Sequence, residues 1–192
     1  MDIEYEATFP NINKDEVRKK LKRAEAKLLR PGFFKKSKIF NLPKGHKIKG
    51  SWLRVRNEGD KVTLSLKIVD GEKIANQKEI CLMINNFAGA CELLKTLGCT
   101  EKALHENKRE LWTLDGVEIT IDEWPFLEPF IEIEGKSEKQ VKEVARKLGF
   151  NYQDALFGSV DTLYSKKYNL SKKIINDQTP KIIFNMKNPF IK

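Results

Sequence analysis

The sequence predicts a single α+β domain built on a mainly antiparallel β-sheet. Segments with the two-residue alternation of β-strands outnumber segments with helical spacing. Most of the strand-like segments follow one another across tight turns, such as Glu58-Gly59-Asp60 and Asp115-Gly116, and such turns join antiparallel strands. The 192 residues are enough to bury one sizeable core. We therefore expect one domain over residues 1–168 and a polar, basic tail over residues 169–192.

The individual elements follow from the same two periodicities. Alternation predicts a strand over residues 3–9, and apolar residues at helical spacing predict a helix over 13–29, which Pro31-Gly32 should end. The further predicted strands are 38–42, 52–56, 62–69, 77–84, 109–114, 117–123 and 130–134, with one more around 182–184 in the tail. The further predicted helices are 86–97, 137–148 and 159–168.

The balance of charge indicates an anionic partner. The chain carries 36 Lys and Arg against 27 Asp and Glu, which gives a net charge of +9. Such an excess attracts nucleic acid, an anionic membrane surface or a phosphorylated substrate. No apolar run approaches the roughly 20 residues that span a bilayer, so we expect no membrane insertion.

The numbers and spacing of the cysteines and histidines argue against disulfide bonds and against a zinc site based on histidine. The three cysteines, Cys81, Cys91 and Cys99, are odd in number and lack Cys-x-x-Cys spacing, which predicts a reduced, cytoplasmic protein. The two histidines, His46 and His105, are too few and too far apart for a zinc site based on histidine. Metal binding, if it occurs, must therefore depend on carboxylates.

Charged residues recur on one face of several predicted strands. Because residues two apart share a face, Glu132 and Glu134 lie on one side of their strand, and the opposite side is apolar. The same arrangement holds for Glu4 and Glu6, Arg54 and Arg56, Lys67, and Asp122. One interpretation is a sheet whose polar side faces water, which antiparallel sheets commonly have. Repeated Glu-x-Glu is unusual for such a side, so a second interpretation is a shared site.

A shared site would need both metal and phosphate. Two carboxylates about 5 Å apart repel by roughly 3 kcal/mol at an effective dielectric constant of 20, so several converging carboxylates require a divalent cation. Carboxylate oxygens suit Mg²⁺ or Mn²⁺. The arginines and lysines on the same faces would bind phosphate oxygens, with each guanidinium able to contact two of them.

The order and spacing of these segments resemble the CYTH domain superfamily, the triphosphate tunnel metalloenzymes. The resemblance runs from residue 3 to about residue 164. Its motifs are a Glu-x-Glu-x-Lys-like strand at 4–8, Leu-Arg-x-Arg at 53–56, a strand ending in Lys67, a basic pair at Lys108-Arg109, Ile121-Asp122-Glu123, and Phe-x-Glu-Ile-Glu-Gly at 130–135.

The resemblance implies a closed, eight-stranded antiparallel barrel whose polar face lines a tunnel and whose apolar face turns outward onto the helices predicted at 13–29 and 137–148. It implies that one or two Mg²⁺ or Mn²⁺ ions are held by Glu4, Glu6, Asp122, Glu132 and Glu134. It implies that the triphosphate is held by Arg54, Arg56, Lys67 and Arg109. Weaker candidates are Thr8, Lys78 and Glu79; Lys78 and Glu79 have opposite parity, so at most one faces the tunnel.

The chain departs from the family motif at one position. Thr8 stands where the motif has lysine, and a hydroxyl cannot neutralise a phosphate oxygen. We expect a lysine from the basic segment 35–49, interpreted as a loop, or from the tail, such as Lys181, to replace it. This departure leaves the exact reaction open.

Within the family, two reactions compete. A class IV adenylyl cyclase converts ATP to cyclic AMP and pyrophosphate, and residues 159–164 resemble that branch. A triphosphatase, acting on tripolyphosphate or an organic triphosphate such as thiamine triphosphate, remains open, as does a catalytically weakened binder. A nucleic-acid-binding module is less favoured, because repeated glutamates repel phosphates and the sequence lacks RNP-like, KH-like and zinc-finger signatures. The sequence leaves open whether the chain forms a homodimer.

Overall fold

The fold is an antiparallel, nearly closed β-barrel with five helices packed around it. It was obtained as a computed structural model and is described for residues 1–46 and 48–191. Nine strands follow one another around the barrel in the order β1-β6-β5-β4-β3-β7-β8-β9-β2, and a tenth, β10, pairs in parallel with β7. The predicted α+β fold class is confirmed. Lys47, part of the predicted basic segment, lies outside the described residues.

The strands are β1 (Asp2–Ile3), β2 (Tyr5–Phe9), β3 (Lys27–Asn41), β4 (Ser51–Asn57), β5 (Val62–Val69), β6 (Gln77–Ile84), β7 (Thr100–Leu114), β8 (Val117–Glu123), β9 (Phe130–Gly135) and β10 (Lys181–Ile182). The helices are α1 (Lys14–Arg23), α2 (Phe87–Thr96), α3 (Glu138–Lys147), α4 (Asp161–Tyr168) and α5 (Lys172–Asp177). Among residues 1–46 and 48–191, none of these helices combines the length and apolarity needed to cross a membrane.

The first two strands bring the ends of the sheet together. β1 pairs with β6 through Asp2 and Glu79, whereas β2 pairs with β9 through Tyr5 and Gly135. Glu4 lies between them, so β1 and β2 are consecutive halves of one segment that bridges both ends of the sheet. Counted as one strand, they give the eight strands that the resemblance implied.

The main core lies between the outer face of the barrel and helices α1 and α3. Alternation along β8 and β9 sends every second side chain outward, and those side chains are apolar. The strands contribute Ala7, Phe9, Ile119, Ile121, Ile131 and Ile133, and the helices contribute Val17, Leu21, Val141, Val144 and Ala145. The polar faces of these strands therefore point into the lumen, as predicted.

The region after α1 differs from the prediction of a helix over 13–29. The helix ends at Arg23, and Glu25 adopts a left-handed backbone with φ of 61°, which breaks the helical path. The chain then enters β3, which runs on to Asn41. Pro31-Gly32 does not end a helix but falls where the pairing register of β3 with β7 shifts, between Arg30 and Phe33. Much of the predicted basic loop is therefore strand.

Two further segments were incompletely predicted. β7 begins at Thr100 rather than at residue 109, because its first half pairs with the unexpectedly long β3. The tail holds a helix, α5, that the sequence did not predict, and a two-residue strand, β10, that overlaps the predicted segment 182–184 at Ile182. Ile175 and Ile182 of the tail are buried against Tyr164, so the tail packs onto the barrel.

Candidate active site

Pairing register aligns the lumen-facing side chains of β2, β9 and β8 in lateral rows. Directly opposed residues on neighbouring strands place their Cβ atoms about 4.5–5.5 Å apart. The two rows are Thr8–Glu132–Thr120 and Glu6–Glu134–Glu118. Glu6, Glu132 and Glu134 therefore lie close together on one wall of the lumen, and Glu118 extends their wall to an exposed position.

Burial and mutual repulsion disfavour the ionised forms of the carboxylates in these two rows. Burial raises the pKa of Glu6 well above its ordinary value, and the neighbouring charge of Glu132 raises it further. Burial also raises the pKa of Glu132 and of Glu134. Within the described parts of the chain, neither Glu6 nor Glu134 takes part in an ion pair. A cation placed among these oxygens would relieve their repulsion.

The donor set suits a hard divalent cation, although the carboxylates do not yet surround one point. Over residues 1–46 and 48–191, no three Asp, Glu, His or Cys side chains stand in ready-made metal-binding geometry. Two of the carboxylates already have protein partners, since Glu4 forms an ion pair with Lys67 and Glu132 forms one with Arg109. Carboxylate oxygens in excess of their cations fit Mg²⁺ or Mn²⁺.

Arg109 lies between two carboxylates of the lumen. Its guanidinium lies 2.8 Å from Asp122 Oδ2 and 2.5 Å from Glu132 Oε2. Asp122, completely buried, also accepts hydrogen bonds from Asn107 Nδ2 at 3.0 Å and Thr120 Oγ1 at 2.7 Å. Burial opposes ionisation of Asp122, but the charges of Arg109 and Lys35 and the hydrogen bonds from Arg109 and Thr120 together keep the pKa of this carboxyl below its usual range.

A second network joins β4, β5, β6 and the segment between β1 and β2. Arg54 Nη2 lies 2.8 Å from Glu79 Oε1, and Lys67 Nζ lies 2.8 Å from Glu4 Oε2 and 3.7 Å from Glu79 Oε2. Burial raises the pKa of Glu4 to about 7, and a hydrogen bond to Glu79 raises it as well. Burial acts to raise the pKa of Glu79, but the same hydrogen bond with Glu4 and the charge of Arg54 lower it. The two carboxyls therefore share a proton near neutral pH.

Arg56 completes the cationic side of the lumen. Its Nε donates to Ser37 Oγ at 3.4 Å, and its Nη1 lies 3.7 Å from Glu58 Oε1. Burial lowers the pKa of Arg56 to about 9, and the charges of Arg54 and Arg109 lower it further. This guanidinium is held among like charges, which an anionic ligand would offset.

Among the remaining predicted residues, Thr8 lies in the lumen, whereas Lys78 and Lys181 lie outside it. Thr8 is buried in the lumen beside a small cavity of about 200 Å³ that is also lined by residues 156–160. Lys78 instead points away, with its Nζ 2.8 Å from Asp70 Oδ2, because Glu79 takes the inward position. Lys181 is exposed on β10.

Because β3 and β7 are longer than predicted, the sequence analysis did not identify two lumen residues, His105 and Asn107, and it included a third, Lys35, only as part of the basic segment 35–49. Lys35 is buried in β3, and its pairing partner Asn107 is buried in β7. His105, also on β7, contacts Trp124 edge-on, and burial lowers the pKa of its imidazole to about 4. Alternation extended back from residue 109 would have found His105 and Asn107. The lysines of β3 occupy both parities, so alternation alone did not single out Lys35.

Solved structures with this fold come from several kingdoms. A conserved hypothetical protein from Pyrococcus furiosus is 24% identical, with a TM-score of 0.66 over 79% of this chain and 94% of its own. A proposed adenylate cyclase from Vibrio parahaemolyticus is 15% identical, with a TM-score of 0.72 over 85% and 98%. A proposed adenylyl cyclase from Hippeastrum, with dominant triphosphatase activity, is 13% identical, with a TM-score of 0.56 over 89% and 97%.

These likenesses establish the fold, and the sequence itself gives the family. The sequence has no significant match among curated proteins. The family model described as CYTH domain, however, matches residues 2–162, which include every strand from β1 to β9 and all the lumen residues described above. This chain therefore belongs to the CYTH domain family.

Proposed function

We propose that this chain is a divalent-metal-dependent phosphotransfer enzyme that binds a triphosphate in the lumen of its barrel. One observation carries the proposal: carboxylates with raised pKa values, such as Glu6 and Glu134, share the lumen with the guanidinium groups of Arg54, Arg56 and Arg109. Carboxylates alone would repel phosphate, and arginines alone would not attract metal. Together they suit a metal-bound polyphosphate.

Each set of side chains has a proposed role. One or two Mg²⁺ or Mn²⁺ ions would be held by Glu4, Glu6, Asp122, Glu132 and Glu134. When bound, the metal would neutralise charge on the phosphoryl oxygens. The triphosphate would be bound by Arg54, Arg56, Lys67 and Arg109.

Ion pairs within the lumen orient two of the arginines in the absence of substrate. Asp122 and Glu132 fix the direction of the Arg109 fork, and Glu79 does the same for Arg54. A fork that is already oriented loses less conformational entropy when it binds phosphate oxygens. It also provides fixed positive charge where negative charge must be stabilised during phosphoryl transfer.

Two reactions are compatible with these roles, and a different observation favours each. We favour the cyclase reaction, in which a ribose hydroxyl attacks the α-phosphate and pyrophosphate leaves, because residues 159–164 resemble the class IV cyclase branch. The triphosphatase reaction, in which water attacks the terminal phosphate, is favoured by the small cavity beside Thr8. This cavity is too narrow to admit a water-sized sphere and therefore leaves no room for a nucleoside at that end.

The proposed substrate is a nucleotide or polyphosphate rather than a nucleic acid, since the lumen of a barrel admits a narrow chain and its acidic rows repel phosphates that carry no metal. We propose a cytoplasmic location because Cys81, Cys91 and Cys99 are all free thiols.

Turnover tests the proposal directly. ATP and tripolyphosphate are incubated with the protein in Mg²⁺, in Mn²⁺ and in excess chelator, and the products are separated. Cyclic AMP with pyrophosphate identifies a cyclase, whereas orthophosphate identifies a triphosphatase. Glu134→Gln should abolish turnover, and Glu143→Gln, an exposed position on α3, is the matched control. Equal turnover in chelator would reject the metal-dependent mechanism.

A further inference from the structure

Lys35 is the most deeply buried lysine side chain described in this structure. Its residue is only 1% exposed, although it lies in a strand with exposed neighbours on both sides, Phe34 and Lys36. Lys35 shares its face with Ser37, which accepts a hydrogen bond from lumen residue Arg56, and it pairs with the buried Asn107. Its side chain therefore points into the lumen.

No described carboxylate is committed to Lys35. Over residues 1–46 and 48–191, Lys35 takes part in no ion pair and no side-chain hydrogen bond. The nearby Asp122 is already satisfied by Arg109, Asn107 and Thr120. The other nearby carboxylate, Glu58, contacts three other cations, namely Arg30, Arg56 and Lys61. Against the effect of burial, the charge of Lys35 helps to lower the pKa of Asp122 and of Glu58, but its ammonium group forms no ion pair with either carboxylate.

Lys35 lies on a diagonal between two arginines of the proposed phosphate site. Arg56 on β4 is opposite Ser37, two residues along β3 from Lys35. Arg109 on β7 lies two residues beyond Asn107, the partner of Lys35, in the other direction. Diagonal neighbours on adjacent strands are about 7–8 Å apart. The three cations therefore form a track across β4, β3 and β7 that is longer than a single phosphate.

The geometry points to Lys35 as the central phosphate-binding residue of this track, which would bind a linear polyphosphate chain together with Arg56 and Arg109. The inference rests on the proposed function and deepens it: it adds to that function a phosphate-binding cation supplied by β3. It also specifies the ligand class as a chain of at least three linked phosphates.

Electrostatics supports the geometry. Burial lowers the pKa of Lys35 well below its ordinary value, and the charges of Arg109 and Arg56 lower it further, while Asp122 and Glu58 act in the opposite direction. An ammonium group in this position destabilises the ligand-free fold. A polyanion bound along the track would remove this destabilisation. A side chain that is unfavourable without ligand and favourable with it is expected of a binding residue rather than a structural one.

The test measures binding in chelator and, with a non-hydrolysable imido analogue of tripolyphosphate, in Mg²⁺, so that it does not depend on turnover. Affinities for tripolyphosphate and for orthophosphate are measured by calorimetry for the wild type, Lys35→Met, Lys35→Arg and Lys36→Met. Lys36 is the matched control, because it is the adjacent lysine on the exposed face of the same strand. Melting temperatures of the four ligand-free proteins are measured alongside.

We expect Lys35→Met to weaken tripolyphosphate binding about 10- to 100-fold and orthophosphate binding by less than about threefold, since a single phosphate can use the remaining arginines. Lys35→Arg should stay within about fivefold of the wild type, and Lys36→Met should not change affinity. The melting temperature of Lys35→Met should equal or exceed that of the wild type.

Three results would overturn the inference. Unchanged tripolyphosphate affinity in Lys35→Met would reject it and leave the proposed function intact. A fall of several degrees in the melting temperature of Lys35→Met, with weak binding also in Lys35→Arg, would make Lys35 a structural residue. Failure of the wild-type protein to bind tripolyphosphate in chelator, and also its imido analogue in Mg²⁺, would reject the proposed function and this inference together.

Discussion

Replacement of Glu6 by Gln should stabilise the ligand-free protein while removing most of its response to divalent metal. Glu6 lies beside Glu134 in the acidic row, and burial together with Glu132 raises its pKa. Neighbouring carboxylates about 5 Å apart repel by roughly 3 kcal/mol at an effective dielectric constant of 20. Lys67 offsets part of this repulsion. We expect a net gain of about 2 kcal/mol at pH 8.

This gain has a predictable size and pH dependence. In a chain of this length 1 kcal/mol shifts the melting temperature by about 2–4 °C, so Glu6→Gln should melt about 4–8 °C higher at pH 8. Because the folded-state pKa of Glu6 is raised, the native protein takes up a proton that the unfolded chain binds only near 4.5. The repulsion disappears as the pH falls through the folded-state pKa, and the advantage of Glu6→Gln should shrink accordingly.

Differential scanning calorimetry at pH 8 and pH 5, in chelator and in Mg²⁺ or Mn²⁺, measures both effects. A metal at 100 times its Kd stabilises a protein by about 2.7 kcal/mol, and Glu6→Gln should lose most of this increment. Glu143→Gln serves as the control, because Glu143 is exposed on α3 away from the lumen. A lower melting temperature for Glu6→Gln in chelator at pH 8, or an undiminished response to metal, would refute the reasoning.

Three further predictions concern other lumen residues. Arg56→Ala should weaken triphosphate binding more than orthophosphate binding in calorimetry, because a longer anion offers its guanidinium more oxygens; equal losses would place Arg56 outside the site. Arg109→Ala should lower the free energy of unfolding in urea by about 3–5 kcal/mol, because Asp122 and Glu132 lose their buried partner; a change under 1 kcal/mol would contradict this. Thr8→Lys should tighten triphosphate binding about tenfold; unchanged affinity would mean that another cation already compensates.

The sequence predicted the barrel wherever strands were short and regular. Alternation of Ile131 and Ile133 with Glu132 and Glu134 separated the two faces of β9, and the resemblance to the family then assigned the charged face to the lumen. The prediction failed at β3, where Leu28 continued the helical spacing of α1 although the Leu28 side chain is exposed in the structure. The left-handed residue Glu25 ends that helix, and no side-chain pattern marks it.

The candidate site was predictable residue by residue but not as a set of ion pairs. Parity together with the family resemblance placed Glu4 and Arg54 on inward faces, whereas the contact of Arg54 with Glu79 depends on the register between strands far apart in the sequence. Lys35 lay within the predicted basic segment 35–49 but was not singled out, for the same reason. Register is a property of the assembled barrel, so single-strand patterns cannot supply it.

The split first segment has a consequence for folding in the cell. Ile3 pairs with Lys78 and Phe9 pairs with Ile131, so β1 and β2 wait for partners that are synthesised on the order of ten seconds later, at about 5–20 residues per second. Until then the backbone groups of β1 and β2 are unpaired and can pair with other chains. Substitutions that weaken either closure should therefore reduce the yield of folded protein from the ribosome more than the melting temperature of the molecules that succeed.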